Sequence, residues 1–353
     1  MSRSLVRRLV AGIGYGLGVT QAVTRAGDRW RVLRGGRGVS VGRRQRDAFL
    51  VLLYHRVNRA ARHFTIERTE PDAFRAQMEH LARQFHVMPL GDIVRRARAQ
   101  EPLPPRAVAI TFDDGYEDNY TEAYPVLRDF GLPATVFLAT GCIGTGESLW
   151  FDRVLGAFRT ARADSVTLPG GALEEGLRDP EVRERVAHRA LYALMRLPNA
   201  ERAPSIDRLV RDLDPEDLSH LPAMMTWDQV RLMAADGITF GAHTVTHPIL
   251  SRLTLDEAES EIVGSKRRIE EEIRMPVNLF AYPVGRRSDY SPGVLDLVAR
   301  AGFDAALTTT PAANAIGDDP YLLRRVKPLG DDVPTFALGL GAQYVTEWRQ
   351  FEP

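Results

Sequence analysis

Residues Ala107–Tyr120 read AVAITFDDGYEDNY, an apolar, partly β-branched run that ends on two adjacent aspartates, Asp113 and Asp114, and a turn-permitting Gly115. The run Ala107–Phe112 has the composition of a buried strand. Asp-Gly is a common turn pair, so a polar turn closing a strand is one explanation. The other is chemical: successive strand residues point to opposite sides, so two neighbouring carboxylates at a strand end are free to take different tasks. The residues that decide between these lie elsewhere in the chain.

After residue 47 apolar strand-like runs alternate with amphipathic segments. AFLVLLYHRV predicts a strand ending at Tyr54, His55 and Arg56. EPDAFRAQMEHLARQF spaces Phe74, Met78 and Leu81 as on one helix face, with Pro71 suited to a first turn. Strand and helix follow again in HVMPL and GDIVRRARA, then AVAITF and TEAYPVLRDFG, the latter stopped at Gly131. PATVFLAT, ITFGAHT, PVNLFAYP, FDAALTTT and YLLRRVKP complete the strands. MTWDQVRLMAADG predicts a helix with Thr226 as N-cap and Gly237 at its end, and TLDEAESEIVGSKRRIEEEI a long amphipathic one. Such alternation implies a parallel sheet with helical crossovers. Seven or more strands favour closure into a (β/α) barrel, distorted or incomplete, over an open doubly wound sheet. Residues 146–222 break the rhythm with charged helical sequence. They read as a helical insertion that either shapes a substrate groove or decorates the surface.

Composition bounds the chemistry. Of 353 residues, 44% are apolar and 26% charged, as in ordinary globular proteins, and Lys+Arg and Asp+Glu balance at 46 each. That balance gives no general attraction to nucleic acid, and none is expected as a partner. One cysteine, Cys142, excludes an intramolecular disulfide or a multi-cysteine zinc site, so any metal must be held by His, Asp or Glu. Residues 1–47 differ from the rest: Arg3, Arg7 and Arg8 precede a glycine-rich apolar run, and seven more arginines follow between Arg29 and Arg46. The run is too short and glycine-rich for a spanning helix and does not follow a signal-peptide pattern. It is either a solvated extension or a basic segment for peripheral contact with anionic lipid. Three regions result: a basic extension at 1–47, a barrel at 48–330 carrying the 146–222 insertion, and a tail at 331–353.

In a parallel barrel the loops after the strand C-termini share one face. That face receives His55, Asp113 and Asp114, then His243 and His247 from HTVTHP, then Tyr282 and Pro283. Two histidines four apart with one carboxylate suit Zn²⁺ or a similar divalent ion with open positions. Histidines fall at this spacing by chance, and it is the Asp-Asp pair on the same face that gives the spacing weight. One aspartate then binds the ion while the other stays off it as a general base toward a water made acidic by the metal. An oxyanion would be stabilised by the metal and a backbone N–H, and a histidine would serve as acid toward an amine leaving group. This is amide or ester hydrolysis. Other acidic residues, including Glu270–Glu272, read as solvated helix faces.

TFDDGYEDNY, GAHTVTHPIL and FAYPVG resemble the motifs of the polysaccharide deacetylases, carbohydrate esterase family 4 with its NodB-homology domain, which includes chitin, peptidoglycan and nodulation-factor deacetylases. LLYHRV and FRAQMEHLARQFHVMPLGDIV resemble the exopolysaccharide deacetylase branch, so the likeness covers about residues 48–330. It implies the family's distorted (β/α) barrel, Asp113 as catalytic base and Asp114, His243 and His247 as ligands of a divalent metal, most simply Zn²⁺. His55 is implied as general acid, the histidine motif having moved circularly to the N-terminus in this branch. The third family motif is Arg-x-Pro-aromatic-Gly. Here AYPVG puts Ala281 at the arginine position and Val284 at the aromatic one, whose N–H would face the oxyanion. That arginine orients the base in the family, and Arg324 or Arg325 is the candidate replacement. Tyr282 and Trp227 are candidate substrate contacts. Trp150 and Trp227 suit sugar stacking, although packing explains each as well.

The expected function is metal-dependent removal of N-acetyl groups from a polysaccharide or oligosaccharide of an exopolysaccharide or cell envelope. The alternatives are an O-acetyl esterase on acetylated polysaccharide and a carbohydrate-binding barrel that has lost catalysis with the motif arginine. A cytoplasmic or membrane-associated location is expected, with export the alternative.

Overall fold

The computed structural model describes residues 48–59 and 67–346. The basic extension at 1–47, with its lipid-contact reading, lies outside the described residues. Among the described residues no helix is long and apolar enough to cross a membrane.

In chain order the barrel elements are β1 (Ala48–Tyr54), α1 (Pro71–Gln84), β2 (His86–Val87), α2 (Leu90–Arg98), β3 (Ala107–Phe112), α3 (Tyr124–Phe130) and β4 (Thr135–Leu138). Three helices follow, α4 (Trp150–Arg159), α5 (Pro180–Arg196) and α6 (Asn199–Leu213), with a small hairpin of Ser165–Thr167 and Leu173–Glu175 between the first two. The barrel resumes with α7 (Trp227–Ala235), β5 (Thr239–Ala242), α8 (Leu255–Ile273), β6 (Leu279–Ala281), α9 (Pro292–Arg300), β7 (Ala305–Leu307) and β8 (Asn314–Ala315) and ends with α10 (Val333–Thr346). Sequence punctuation explains most boundaries. Pro71 opens α1, left-handed Gly131 stops α3, and Thr226 with Gln229 forms a reciprocal cap at α7.

The sheet order is β7-β6-β5-β4-β3-β1-β8, with β2 also on β3. All pairings are parallel except β1 with β8. The last expected strand, YLLRRVKP, appears only as isolated parallel bridges, Leu323 to Leu307 of β7 and Val326 to Leu52 of β1. Residues 323–326 thus lie between the first and last barrel strands and close a distorted (β/α) barrel, as the alternation predicted.

Strand parity divides the core in two. Leu50, Leu52, Val108, Ile110, Val136, Phe240 and Phe280 pack outward against the helices. Phe49, Val51, Ala107, Ala109, Phe137, Leu279, Ala281, Ala305, Leu307 and Leu323 form the inner cluster, joined by Leu90, Ile93 and Val94 of α2. The alanines Ala107, Ala109, Ala281 and Ala305 in this cluster leave room for Phe137. A Cβ on Gly241 would stand 2.4 Å from that ring, so only glycine fits there. Continuing the inner parity past each strand end reaches His55, Asp113, His243 and Arg325.

Helices α4–α6 have a hydrophobic cluster of their own, built on Val154, Phe158, Val186, Ala190, Leu194, Ile206 and Leu209. The region expected as a C-terminal tail contains α10, which packs on α1 with Phe336 and Leu340 buried in the outer core. Phe336 is 0% exposed. Phe336→Ala is therefore expected to cost about 3–5 kcal/mol of stability, the range for a buried aromatic truncated to a cavity. Urea unfolding followed by far-UV circular dichroism measures it.

Candidate active site

Four strand ends supply the site. Asp113 and Asp114 follow β3 directly, and the Asp113 N–H donates to the Tyr54 carbonyl at 3.0 Å. The chain then turns through Asp114 (φ 77°) and Gly115 (φ 87°). A left-handed aspartate is uncommon; here it swings the second carboxylate away from the first. His243 follows β5, and His247 closes a loop in which Thr244 (φ 69°) and His247 (φ 55°) are also left-handed.

Asp114, His243 and His247 are all buried and offer ligand atoms within 4.8 Å of one another. The two imidazole Nε2 atoms each lie 3.5 Å from Asp114 Oδ1. That buried oxygen has no hydrogen-bond partner. His243 Nδ1 sits 2.7 Å from the Ala281 carbonyl, which places the proton on Nδ1 and leaves Nε2 a lone pair. Burial holds both imidazoles below their ordinary pKa, reinforced at His247 by His243. Neutral nitrogens and an orphaned carboxylate oxygen around one point make a donor set that fits a divalent cation.

Asp113 has a different environment. Arg325, wholly buried, donates from both terminal nitrogens to its two oxygens at 2.7 Å each. Arg325 Nε donates to the Thr308 carbonyl at 2.9 Å, and the side chain lies over the Phe137 ring. Burial alone would raise the Asp113 pKa. The charge of Arg325, then His243, the Arg325 hydrogen bonds and His55 outweigh it and hold the carboxyl well below the usual range. Asp114 is pushed the other way by burial, then by Asp113 and Asp152. Arg324, the other candidate, instead pairs with Asp318.

His55 reaches the same pocket from the end of β1. Burial lowers its pKa to about 4, against the pull of Asp113 and Glu67. Its backbone is fixed by residues of the opening stretch. Asn119 Nδ2 donates to the His55 carbonyl at 2.8 Å, and Asp118 accepts from Arg56 Nε, Asn58 Nδ2 and the Val57 N–H. These two residues carried no signal in the sequence, because their partners lie some 60 positions away.

Val284 sits at φ 60° inside a three-residue turn closed by the Gly285 N–H on the Pro283 carbonyl at 2.6 Å. Its own carbonyl accepts from Thr309 Oγ1 at 2.7 Å. His55, Asp113, Asp114, His243, His247, Val284 and Thr309 line one pocket of about 190 Å³ with Trp150, Phe151, Leu191 and Met195 of the insertion.

Two candidate contacts are not brought to that pocket. The Tyr282 ring is 0% exposed in the outer core, stacked on Tyr290, with its hydroxyl donating to the Tyr321 carbonyl. Trp227 starts α7, abuts Gly144 and lies under the Arg268 guanidinium. Trp150 does line the pocket, and its Nε1–H donates to the His247 carbonyl at 3.1 Å. Nor are the acidic residues of α8 merely solvated: Glu261 accepts from the Val245 and Thr246 N–H groups and the Thr246 hydroxyl, bracing the loop between the two histidines. Glu272 pairs with Arg231 and Arg268, and Glu270 accepts from the Val277 N–H.

Residues 100–306, more than half of the chain, match the family model described as polysaccharide deacetylase. The chain belongs to the polysaccharide deacetylase family. Among relatives, YxkH of Bacillus subtilis (strain 168) is 26% identical over 222 residues, 63% of this chain and 51% of that protein. The chain thus spans about half the length of that relative. The poly-beta-1,6-N-acetyl-D-glucosamine N-deacetylase of Escherichia coli (strain K12) is 32% identical over 89 residues, 25% of this chain and 13% of that protein. Among solved structures, IcaB from Ammonifex degensii superposes with a TM-score of 0.56 at 20% identity, over 84% of this chain and 98% of that one. The Streptococcus pyogenes deacetylase PplD, in complex with acetate, gives 0.54 at 19%, over 87% and 99%. These two likenesses show the fold. His55 and Arg325 lie outside the family-matched segment, and the barrel closure brings them to Asp113.

One buried carboxyl beside the site gives a pH prediction. Asp152 of α4 accepts from the Tyr116 hydroxyl at 2.8 Å, and burial raises its pKa to about 7, against the lowering by Tyr116 and Arg56. A carboxyl whose folded pKa lies above its unfolded one keeps its proton longer in the folded state. Stability therefore falls as pH rises from the unfolded pKa near ~4 toward 7. Asp152→Asn keeps an acceptor for Tyr116 and removes the titration. The wild type is expected to lose up to about 4 kcal/mol relative to Asp152→Asn across that window. Denaturant unfolding of both proteins at pH 4, 5.5, 7 and 8 measures the difference.

Proposed function

We infer that this chain is a metal-dependent hydrolase that removes N-acetyl groups from an N-acetylated polysaccharide or oligosaccharide. The observation that carries the reading is the division of labour between the adjacent carboxylates. Asp114 faces two neutral imidazoles with an unpartnered oxygen, while Asp113, beside it, is held ionised by Arg325. Asp114, His243 and His247 would hold a divalent cation, for which Zn²⁺ is the simplest match to two imidazoles and one carboxylate. Such a cation supplies an acidic water and a positive charge beside a polarised carbonyl, which a carboxylate as weakly basic as Asp113 requires.

The chain's own residues account for the remaining steps. Asp113, fixed by two hydrogen bonds from Arg325, accepts a proton from the attacking water. The Val284 N–H, presented by its strained turn, would donate to the oxyanion that develops from the acetyl carbonyl. His55 gives a proton to the leaving amine. Its resting pKa of about 4 favours the neutral ring; negative charge building in the pocket on attack raises it, as Asp113 and Glu67 already do, so that His55 takes up a proton from solvent and passes that proton to the amine. The C–N bond then breaks to release acetate and a free amino sugar. Support for the N-acetyl class comes from relatives named as poly-beta-1,6-N-acetyl-D-glucosamine N-deacetylases. The binding-only alternative rested on the missing motif arginine, and Arg325 in contact with Asp113 argues against it.

Acetate release from N-acetylglucosamine oligomers and from acetylated xylan, with metal content determined, tests the reading. Asp113→Asn is expected to lose about 10²–10⁴-fold in kcat while binding metal as the wild type does. Chelation should abolish turnover and Zn²⁺ restore it. His55→Ala should slow amide cleavage more than cleavage of an activated ester, whose leaving group needs no proton. Release from xylan alone would favour the O-acetyl esterase, and a protein that binds no metal would refute the site.

A further inference from the structure

Helix α5 directs apolar side chains two ways, and Leu191, packed against the edge of the α4–α6 cluster, also lines the catalytic pocket with Met195. Val186, Ala187, Ala190 and Leu194 fill the cluster shared by α4–α6. Leu191 and Met195, one turn apart on an adjacent stripe, are half-buried and face the catalytic pocket. Two contacts fix α4–α6 across the catalytic face. On the His247 side, the Trp150 Nε1–H holds the His247 carbonyl, and the buried Arg202 of α6 lies 5.3 Å from the Trp150 ring. On the Val284 side, Arg286 of the loop after β6 reaches the ring of Tyr192, beside Leu191 on α5, at 5.9 Å. The insertion therefore spans from one catalytic loop to another.

This arrangement limits what enters. A site that takes an internal residue of a long glycan needs an open channel on both sides of the scissile group. Here Leu191, Met195, Phe151 and Trp150 line, together with His55 and Val284, one pocket of about 190 Å³. That is smaller than the ~300–1,000 Å³ of a site enclosing a drug-sized ligand. We propose that α5 is a specificity wall that restricts the site to a chain-terminal residue or a short saccharide, packing its apolar side chains on the terminal sugar. The proposal rests on the deacetylase reading for the identity of the sugar, while the wall itself is a matter of geometry.

The test uses the full chain, N-acetylglucosamine tetramers and long N-acetylglucosamine chains. The number of protein molecules bound per glycan chain, from calorimetry and sedimentation, is expected to stay near that of the tetramer for wild type. Early products are expected to be deacetylated at an end. Leu191→Ala combined with Met195→Ala should raise the number bound per long chain and spread deacetylation to internal positions. It should also shift the long-to-short rate ratio by ~10-fold, the scale of one apolar pocket contact. The exchange Leu191→Met with Met195→Leu keeps the wall's bulk and should retain the wild-type pattern, with thermal melting checking the fold of both variants. Wild-type binding that grows with chain length, internal deacetylation from the outset, or no binding to either probe overturns the wall. A length-independent count without acetate release from any substrate would instead overturn the deacetylase reading and leave the wall standing.

Discussion

The guanidinium of Arg325 is fully buried and is held by both oxygens of Asp113, a residue 212 positions earlier in the chain. Desolvating such a pair is expensive, and removing either partner leaves an uncompensated interior charge that costs about 3–5 kcal/mol. The arrangement is tolerable because each polar atom is satisfied: Arg325 Nε by the Thr308 carbonyl and its backbone N–H by the Thr310 carbonyl. The same segment bridges β7 to β1. The ion pair therefore stands at the seam of the barrel, and closing the barrel is what delivers the arginine. Its consequence for chemistry is a broken symmetry. Two carboxylates on successive residues repel one another, and one guanidinium neutralises only Asp113. Asp114 is left with a raised pKa, two neutral imidazoles and an unpartnered oxygen, a demand for positive charge from outside the chain.

Around that pair the backbone is held where chains seldom go. Of the eight non-glycine residues with left-handed φ among those described, Asp114, Thr244, His247 and Val284 belong to the loops of the candidate site. Each such residue costs on the order of 1–3 kcal/mol and persists only where its surroundings over-determine it. Those surroundings are visible: Glu261 receives the Val245 and Thr246 N–H groups, the Thr244 carbonyl accepts the Thr140 N–H, and Thr309 grips both Val284 and Gly285. The loops are thus set before any ligand arrives.

Much of this was legible in the sequence, for a definite reason. Strand parity and the shared face of a parallel barrel turn a linear list of strand-end residues into a statement about proximity. Asp113, Asp114, His55, His243 and His247 emerged from that alone and line a single pocket. Partners set by long-range closure were not legible: Asp118 and Asn119 look like a polar turn until the His55 loop lies against them. The arginine was narrowed to two neighbours but not chosen, since only the strand's facing separates Arg325 from Arg324. Tyr282 and Trp227 misled because an aromatic residue beside a motif looks alike whether its ring faces substrate or core. The hydroxyl of Tyr282 is satisfied by a backbone carbonyl, which settles its place in the interior. The helix α10 escaped because a short apolar segment at a chain end does not announce which surface it will cover.

The insertion connects to the candidate site through more than the residues that line its pocket. Asp152, in the first turn of α4, accepts from the Tyr116 hydroxyl, and the Arg56 guanidinium lies 4.9 Å from the Tyr116 ring. Arg56 in turn pairs with Asp118, which also receives the Val57 N–H and so fixes the turn just after His55. A continuous chain of contacts thus runs from the insertion, through the residue two positions after Asp114, to the turn after His55 at the end of the neighbouring parallel strand. Packed interiors transmit displacement because they have few voids to absorb it. An insertion that merely decorated the surface would place no buried carboxyl in this chain, since burying one is costly unless it holds something in position. The helices at 150–213 thus touch both the pocket and the residues that hold the turn after His55.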